Sequence, residues 1–365
     1  MSLSFEEESQ LAPFRDEIVS EATDEVSELK TRVRRPKQKR VGAALARVHA
    51  QVREQRLPIQ RDVWSGLLDQ AYLTLKSDRW SNTLEQVFLG LNEMKAKADP
   101  DWWAQFSEID SLTHPIKDLL HEDPFTLRSF EKPRGYAGDA VMLDYIYGER
   151  PVPSTTSDIG RRIFQFTTSA PASQSVRARR DILTDYVDQT ASRHADPRIL
   201  AIACGHLREA AQSSALRGGR IHNFFAFDQD ADSLALVEDC YPARGIKTIQ
   251  GSVKGILSGK ATFKDMDLVY AAGLYDYLSE RVAVRLTKQM FDMLAPGGRM
   301  LVANFAPNLR DIGYMETYMG WKLIYRTAEE MAALSVDIPT DAIEQQRVFA
   351  DDHGNIVFLE VTKKK

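Results

Sequence analysis

Cysteine is nearly missing from this chain. Cys204 and Cys240 are the two among 365 residues, too few for a disulfide framework and in keeping with a reducing compartment. No apolar run approaches the roughly 20 residues that a membrane-spanning helix takes, and no apolar signal stretch opens the chain. Positive charge is not in excess either. The formal net charge of −5 argues against a nucleic-acid partner held by overall charge, while leaving room for a local basic patch. His114, His121, His194, His222 and His353 show no metal-ligand spacing, so no metal site is expected. No Gly-x-Ser-x-Gly elbow supports a Ser-His-Asp hydrolase. The expectation is a soluble cytoplasmic protein with enough length for one large domain or two.

Charge marks the first segment. Acidic residues from Glu6 to Glu28 precede a basic run from Lys30 to Arg40. No aromatic residue interleaves the basic ones, so residues 1–45 read as a charged, flexible segment that neutralises itself rather than as a nucleic-acid arm. From 46 to 180 the periodicity is helical. Leu67, Leu68, Ala71 and Leu75 recur at three- and four-residue spacing after Val63, as do Leu84, Val87, Phe88 and Leu91. Pro100, Pro115 and Pro124 divide this helical cap into short helices, with Trp102 and Trp103 as packing residues. Within it, Lys132-Pro133-Arg134-Gly135-Tyr136-Ala137-Gly138-Asp139 describes a tightly turned loop of polar side chains, a kind of loop that often lines sites.

Residues 181–365 alternate strand and helix. A strand over 199–203 leads to a helix near 208–216, and a strand over 224–227 to a helix on which Leu234, Val237 and Tyr241 share a face. Strands near 247–249 and over 266–271 follow. Ser279 then caps a helix with the stripe Val282, Leu286, Met290 and Met293, and Ala295-Pro296-Gly297-Gly298 makes a turn into a strand over 299–303. A hairpin about Asp351-Asp352-His353-Gly354 closes the chain. Such alternation implies a parallel sheet covered on both faces, with antiparallel strands added at one edge.

Ligand chemistry concentrates at two strand ends. The first strand stops at Ala203-Cys204-Gly205, a small turn before a helix, and the second ends on Asp228. This is the front half of a nucleotide-binding βαβ unit. Glycine lets the backbone approach a ligand, and an acidic strand end binds both hydroxyls of a ribose. One glycine stands where a dinucleotide turn shows three, which points to a nucleoside without a pyrophosphate. S-adenosylmethionine is the candidate, with S-adenosylhomocysteine as its product. Asp228 has an alternative as a helix N-cap, a role that Asp230 fills equally well. Ala203, Cys204, Gly205, Glu209, Asp228, Gln229, Ser252, Val253, Ala272 and Gly273 are the expected cofactor contacts. Tyr275 and Asp276 follow the fourth strand, next to where a transferable methyl would lie. Asp276 is read either as an orienting group or base, or as a cap of the next helix. His206 is read as a packing residue before a base.

The sheet, the Pro-Gly-Gly turn and the closing hairpin are similar to those of class I S-adenosylmethionine-dependent methyltransferases. A narrower resemblance rests on His114-Pro115 through Asp123-Pro124, Lys132 to Asp139 and Val141-Met142-Leu143-Asp144. It continues through Ala203-Cys204-Gly205 with Arg208-Glu209, Tyr270 to Leu278, Tyr314-Met315-Glu316, Trp321 and Tyr325-Arg326. Across roughly residues 100 to 365 the chain resembles proteins named for biosynthesis of an extracellular 3-hydroxypalmitic acid methyl ester. The resemblance implies a Rossmann-like α/β fold with a helical cap, and a methyltransferase that esterifies the carboxylate of a 3-hydroxy fatty acid. It makes Arg134 a bidentate clamp for that carboxylate and Tyr136 a hydrogen-bonding partner of substrate or cofactor. Asp139 then fixes Arg134 or the cofactor's ammonium, unless Arg134 and Asp139 simply pair to hold the loop shut. The partner is a small-molecule methyl acceptor, and the oligomeric state stays open, a homodimer included. Two other readings stand beside this one: a regulatory protein that binds S-adenosylmethionine without turnover, and a nicotinamide-dependent reductase.

Overall fold

Five runs of apolar residues pair side by side as parallel strands: β1 (Arg198–Ile202), β2 (Asn223–Asp228), β3 (Ile246–Gln250), β4 (Met266–Ala271) and β5 (Leu294–Phe305). Two more, β6 (Ile343–Ala350) and β7 (Ile356–Lys363), form the expected hairpin, and β7 inserts antiparallel between β5 and β6. The order is β3-β2-β1-β4-β5-β7-β6. This is a Rossmann-like sheet, parallel with a C-terminal antiparallel hairpin. The computed structural model describes residues 64–77, 82–242 and 244–365. Segment 1–45 and the first part of the expected helical cap, to residue 63, lie outside the described residues. The chain divides into two units, Met1–Gln70 and Ala71–Lys365. Residues 64–70 of the first are helical, and the fold described here is that of the second.

Strand periodicity assigns the two faces. Leu200, Ile202, Val269, Ala271, Met300 and Val302 point to one side, where they pack with Leu286 and Met290 of the helix Glu280–Asp292 and with Met331 and Leu334. Arg299 and Tyr270 point to the other. There the guanidinium of Arg299 lies 4.9 Å from the Tyr186 ring of the helix Pro171–Arg193. Both faces are therefore covered, as a central parallel sheet requires.

The short helix Ile312–Tyr318, which follows β5, ties the helical part to the sheet. Tyr314 stacks on Phe88 of the helix Thr83–Lys97 with ring centroids 4.1 Å apart. Glu316 accepts from Lys95 Nζ at 2.7 Å and from Trp103 Nε1 at 2.6 Å. The prolines act as expected. Pro100 and Pro124 open the helices Pro100–Gln105 and Pro124–Glu131, and the side chains of Asp99 and Asp123 cap them.

Two local expectations need correction. The helix near 208–216 is two short ones, Glu209–Gln212 and Ser214–Arg217, broken at Ser213. Ser213 caps the second piece by accepting from Leu216 N, and Asp188, from the long helix, accepts from Ser214 N at 2.9 Å and Ala215 N at 3.0 Å. The Pro-Gly-Gly turn does not precede β5 but bulges out within it. Leu294 pairs with Met266 and Arg299 with Leu268, so the residues between them loop away from β4. Gly297 supplies a φ of +77° there.

Candidate functional site

The turn after β1 bends through left-handed backbone at every second residue. Ala203, Gly205 and Leu207 have φ of +52°, +53° and +50°. Glycine adopts this conformation freely, whereas other residues lose roughly 1–2 kcal/mol there. Two of these three left-handed positions carry side chains. Leu207 is buried and holds its place by packing, while Ala203 is exposed. Cys204 N donates to the Phe227 carbonyl at 3.2 Å, which ties the turn to the end of β2. Burial pushes the Cys204 thiol well up, out of thiolate chemistry.

Asp228 meets this turn. Its Oδ2 accepts from Gly205 N at 2.8 Å, and its Oδ1 accepts from Asp230 N at 2.9 Å. Each oxygen keeps lone-pair capacity for a further donor. The residue is 7% exposed, and burial raises its pKa despite these amide donors. Asp230 is the N-cap of the helix Ala231–Cys240, so the capping role does not fall to Asp228. Gln229 is exposed, and its carbonyl accepts from Gln250 Nε2 at 3.3 Å. Ser252 caps the helix Val253–Leu257 by accepting from Gly255 N at 3.3 Å, which leaves its hydroxyl hydrogen to donate. Val253 packs against the core.

Glu209 turns inward, where its carboxyl accepts from the Tyr270 hydroxyl at 2.6 Å. Burial pushes its pKa up, although Tyr270 and the nearby Arg179 and Arg180 oppose this. Beyond β4, the Ala272 carbonyl accepts from Arg179 Nη1 at 2.7 Å, and Gly273 lies against the same guanidinium.

The loop over 133–139 reaches the turn after β1 from the helical side. Ala140 Cβ would stand 3.2 Å from a Cβ placed on Gly205, and one placed on Gly138 would meet the Tyr277 hydroxyl at 2.5 Å and the Trp321 ring at 3.0 Å. Gly138 is therefore a close approach to an aromatic wall. In that wall Trp321 Nε1 donates to the Tyr277 hydroxyl at 2.9 Å, and the Tyr136 ring stands edge-on to Tyr277 at 6.4 Å. Burial, with Asp228 and Asp139 nearby, raises the Tyr136 pKa and keeps it a neutral phenol.

Four expected catalytic roles change. Arg134 is not a free clamp: its Nη1 donates to Asp230 Oδ2 at 2.6 Å and to Ser233 Oγ at 3.0 Å. Asp139 does not fix Arg134, because Arg128 holds it through two bonds of 3.0 and 2.6 Å while its Oδ1 also caps the helix Ala140–Tyr147. The Tyr275 hydroxyl is buried in the core against Thr287 Oγ1 at 2.9 Å and Met290 Sδ at 3.4 Å. Asp276 is neither exposed base nor helix cap. It accepts from Phe305 N at 2.7 Å, and burial lifts its pKa to about 6. His206 is buried, with Nδ1 2.8 Å from Asp144, which also receives two bonds from Arg208.

Sequence reasoning missed Arg179. Its one signal is position: a charged residue on the buried stripe Val176, Leu183, Tyr186, Val187 of the helix Pro171–Arg193. It also missed the partner of Trp321, which 44 residues of sequence separate from Tyr277.

No protein-family model and no curated protein matches this chain. Among solved structures it is similar to a possible exported protein from Bordetella parapertussis, at 16% identity over 66% of this chain and 86% of that one, with a TM-score of 0.51. It is also similar to magnesium protoporphyrin IX methyltransferase from Synechocystis with bound S-adenosylhomocysteine, at 10% identity over 60% and 92% of the chains, with a TM-score of 0.41. The N-methyltransferase NodS from Bradyrhizobium japonicum gives 14% identity over 52% and 98%, with a TM-score of 0.37. At such identities the likeness is one of fold. Among the described residues no helix is long and apolar enough to cross a membrane, and no group of three or more candidate ligands gathers to hold a metal.

Proposed function

We propose that this protein transfers the methyl group of S-adenosylmethionine to a small-molecule acceptor, and that the acceptor is the carboxylate of a 3-hydroxy fatty acid. The observation that carries the cofactor reading is the contact of Asp228 with Gly205 N at 2.8 Å. It sets a carboxylate with spare lone pairs beside an open turn, at the carboxyl ends of β1 and β2, where open α/β sheets bind ligands. Asp228 takes the ribose hydroxyls, and the turn over 203–205 with Ala272 and Gly273 takes the amino-acid end. Ser252 and Val253 border the base. S-adenosylmethionine, when bound, supplies a methyl group on a sulfonium ready for in-line displacement.

The chain's own part is positioning and the exclusion of water. The loop over 133–139, latched by Arg134 to Asp230, covers the cleft, and Tyr136, Tyr277 and Trp321 offer an apolar wall suited to an acyl chain. A carboxylate acceptor is already a nucleophile and calls for no base. That suits a site in which Asp276 and His206 are both engaged. Labelled-methyl S-adenosylmethionine incubated with the full chain and 3-hydroxyhexadecanoate should yield labelled methyl ester and an equal amount of S-adenosylhomocysteine, read by mass spectrometry. Cofactor binding without transfer to carboxylates of any chain length would favour the regulatory reading.

A further inference from the structure

Arg179 is 4% exposed on the inner stripe of the helix Pro171–Arg193. A guanidinium stays charged inside a protein, so its burial calls for an anion or a complete set of acceptors. Nη1 donates to the Ala272 carbonyl and the Tyr147 hydroxyl also bonds the guanidinium, yet among the described residues no carboxylate forms an ion pair with Arg179. Two acids lie near enough to feel its charge, Glu209 and Asp276, and each is bonded elsewhere, to the Tyr270 hydroxyl and to the Phe305 amide. Burial raises both pKa values, yet neither acid comes within ion-pair distance of the guanidinium. The flank of the guanidinium is open. A Cβ built on Gly273 would meet nothing within 4 Å except Arg179 Nη2 at 3.7 Å and Nη1 at 3.9 Å.

We propose that Arg179 is the carboxylate-binding residue of this cleft, and that it receives its ligand through the space over Gly273. The planar fork of arginine matches a carboxylate bidentately. Two ligands of the reading above bring one: the methionine end of the cofactor, and the acid acceptor. Arg134, held by Asp230, leaves this role to Arg179. The inference rests on the methyltransferase reading for the identity of those ligands, and on burial, distance and open space for the site.

Calorimetry on the full chain separates the sources. The probes are S-adenosylhomocysteine, which has the carboxylate, 5′-methylthioadenosine, which lacks it, and 3-hydroxyhexadecanoate. In Arg179→Met, a tenfold or greater loss of S-adenosylhomocysteine affinity with unchanged methylthioadenosine affinity assigns the cofactor's carboxylate. Unchanged S-adenosylhomocysteine affinity with a tenfold loss for the hydroxy acid assigns the acceptor's. Arg179→Lys, which keeps the charge but not the fork, should fall between. If Arg179→Met unfolds, Gly273→Val fills the space and keeps the arginine, and the same losses are expected. Unchanged affinity for both carboxylates in a folded variant overturns the proposal. Wild-type protein that binds neither nucleoside overturns the cofactor reading instead, and the hydroxy acid alone then decides the role of Arg179.

Discussion

Ala203 and Leu207 share a left-handed backbone but differ in what holds them there, and substitution should separate the two. Ala203 is exposed and has little packing to offset its conformation. Ala203→Gly should therefore stabilise the protein by about 0.5–1 kcal/mol, the relief of strain exceeding the entropy that glycine adds to the unfolded chain. Leu207 is 1% exposed, so Leu207→Gly loses a buried side chain worth roughly 2–3 kcal/mol and should destabilise. Urea midpoints moving in opposite directions check both. Asp276 gives a pH signature. Its pKa is raised to about 6, so the folded state binds the proton more tightly than the unfolded one. Its contribution is fully present at acidic pH and is lost as pH rises from about 4 through 6. Wild type should gain on Asp276→Asn, which keeps an acceptor for Phe305 N, by at most about 3 kcal/mol between pH 7 and pH 4. A stability gap that stays flat with pH would contradict the burial of an ionising carboxyl. The turn at Gly205 and the strand end at Asp228 were legible in the sequence because their signals are local. The partner of Arg134 stands 96 residues away, and the place of Arg179 depends on how one helix packs, so neither was readable from spacing.

Elements were legible where one rule governs them. The runs over 199–203, 224–227 and 266–271 are strands within a residue or so, because a buried parallel strand needs a continuous apolar run. The helix breaks at Ser213, which caps its second half with help from Asp188, distant in sequence, and the Pro-Gly-Gly segment became a bulge because β4 pairs on both sides of it. The same dependence on partners appears where the helix Ile312–Tyr318 meets the helix Thr83–Lys97. A Cβ on Gly313 would stand 2.4 Å from the Leu91 carbonyl carbon and 2.6 Å from Asn92 N. Backbone cannot step aside as a side chain does. Gly313→Ala should thus cost roughly 1–3 kcal/mol through overpacking, more than the up to about 1 kcal/mol that alanine adds to a helix. A lower urea midpoint with an unchanged slope would show it. A raised midpoint would mean that the two helices do not approach so closely.

For the whole molecule, the sheet order gathers distant segments at one edge. The strained turn comes from β1, Asp228 from β2 and the Ala272–Tyr277 stretch from β4. The helical part adds the loop over 133–139 and, from the helix before β1, Arg179. Together they set the Asp228 carboxylate, the buried Arg179 cation and the Tyr136–Tyr277–Trp321 aromatic group where the proposed cofactor site lies. Calorimetric binding of S-adenosylhomocysteine to wild type and to Asp228→Ala, with NADH as control, tests this most directly. S-adenosylhomocysteine should bind wild type, NADH should not, and the substitution should weaken binding by roughly 1–3 kcal/mol in a protein that remains folded. Binding of NADH in place of S-adenosylhomocysteine, or equal S-adenosylhomocysteine affinity without the Asp228 carboxylate, would contradict it.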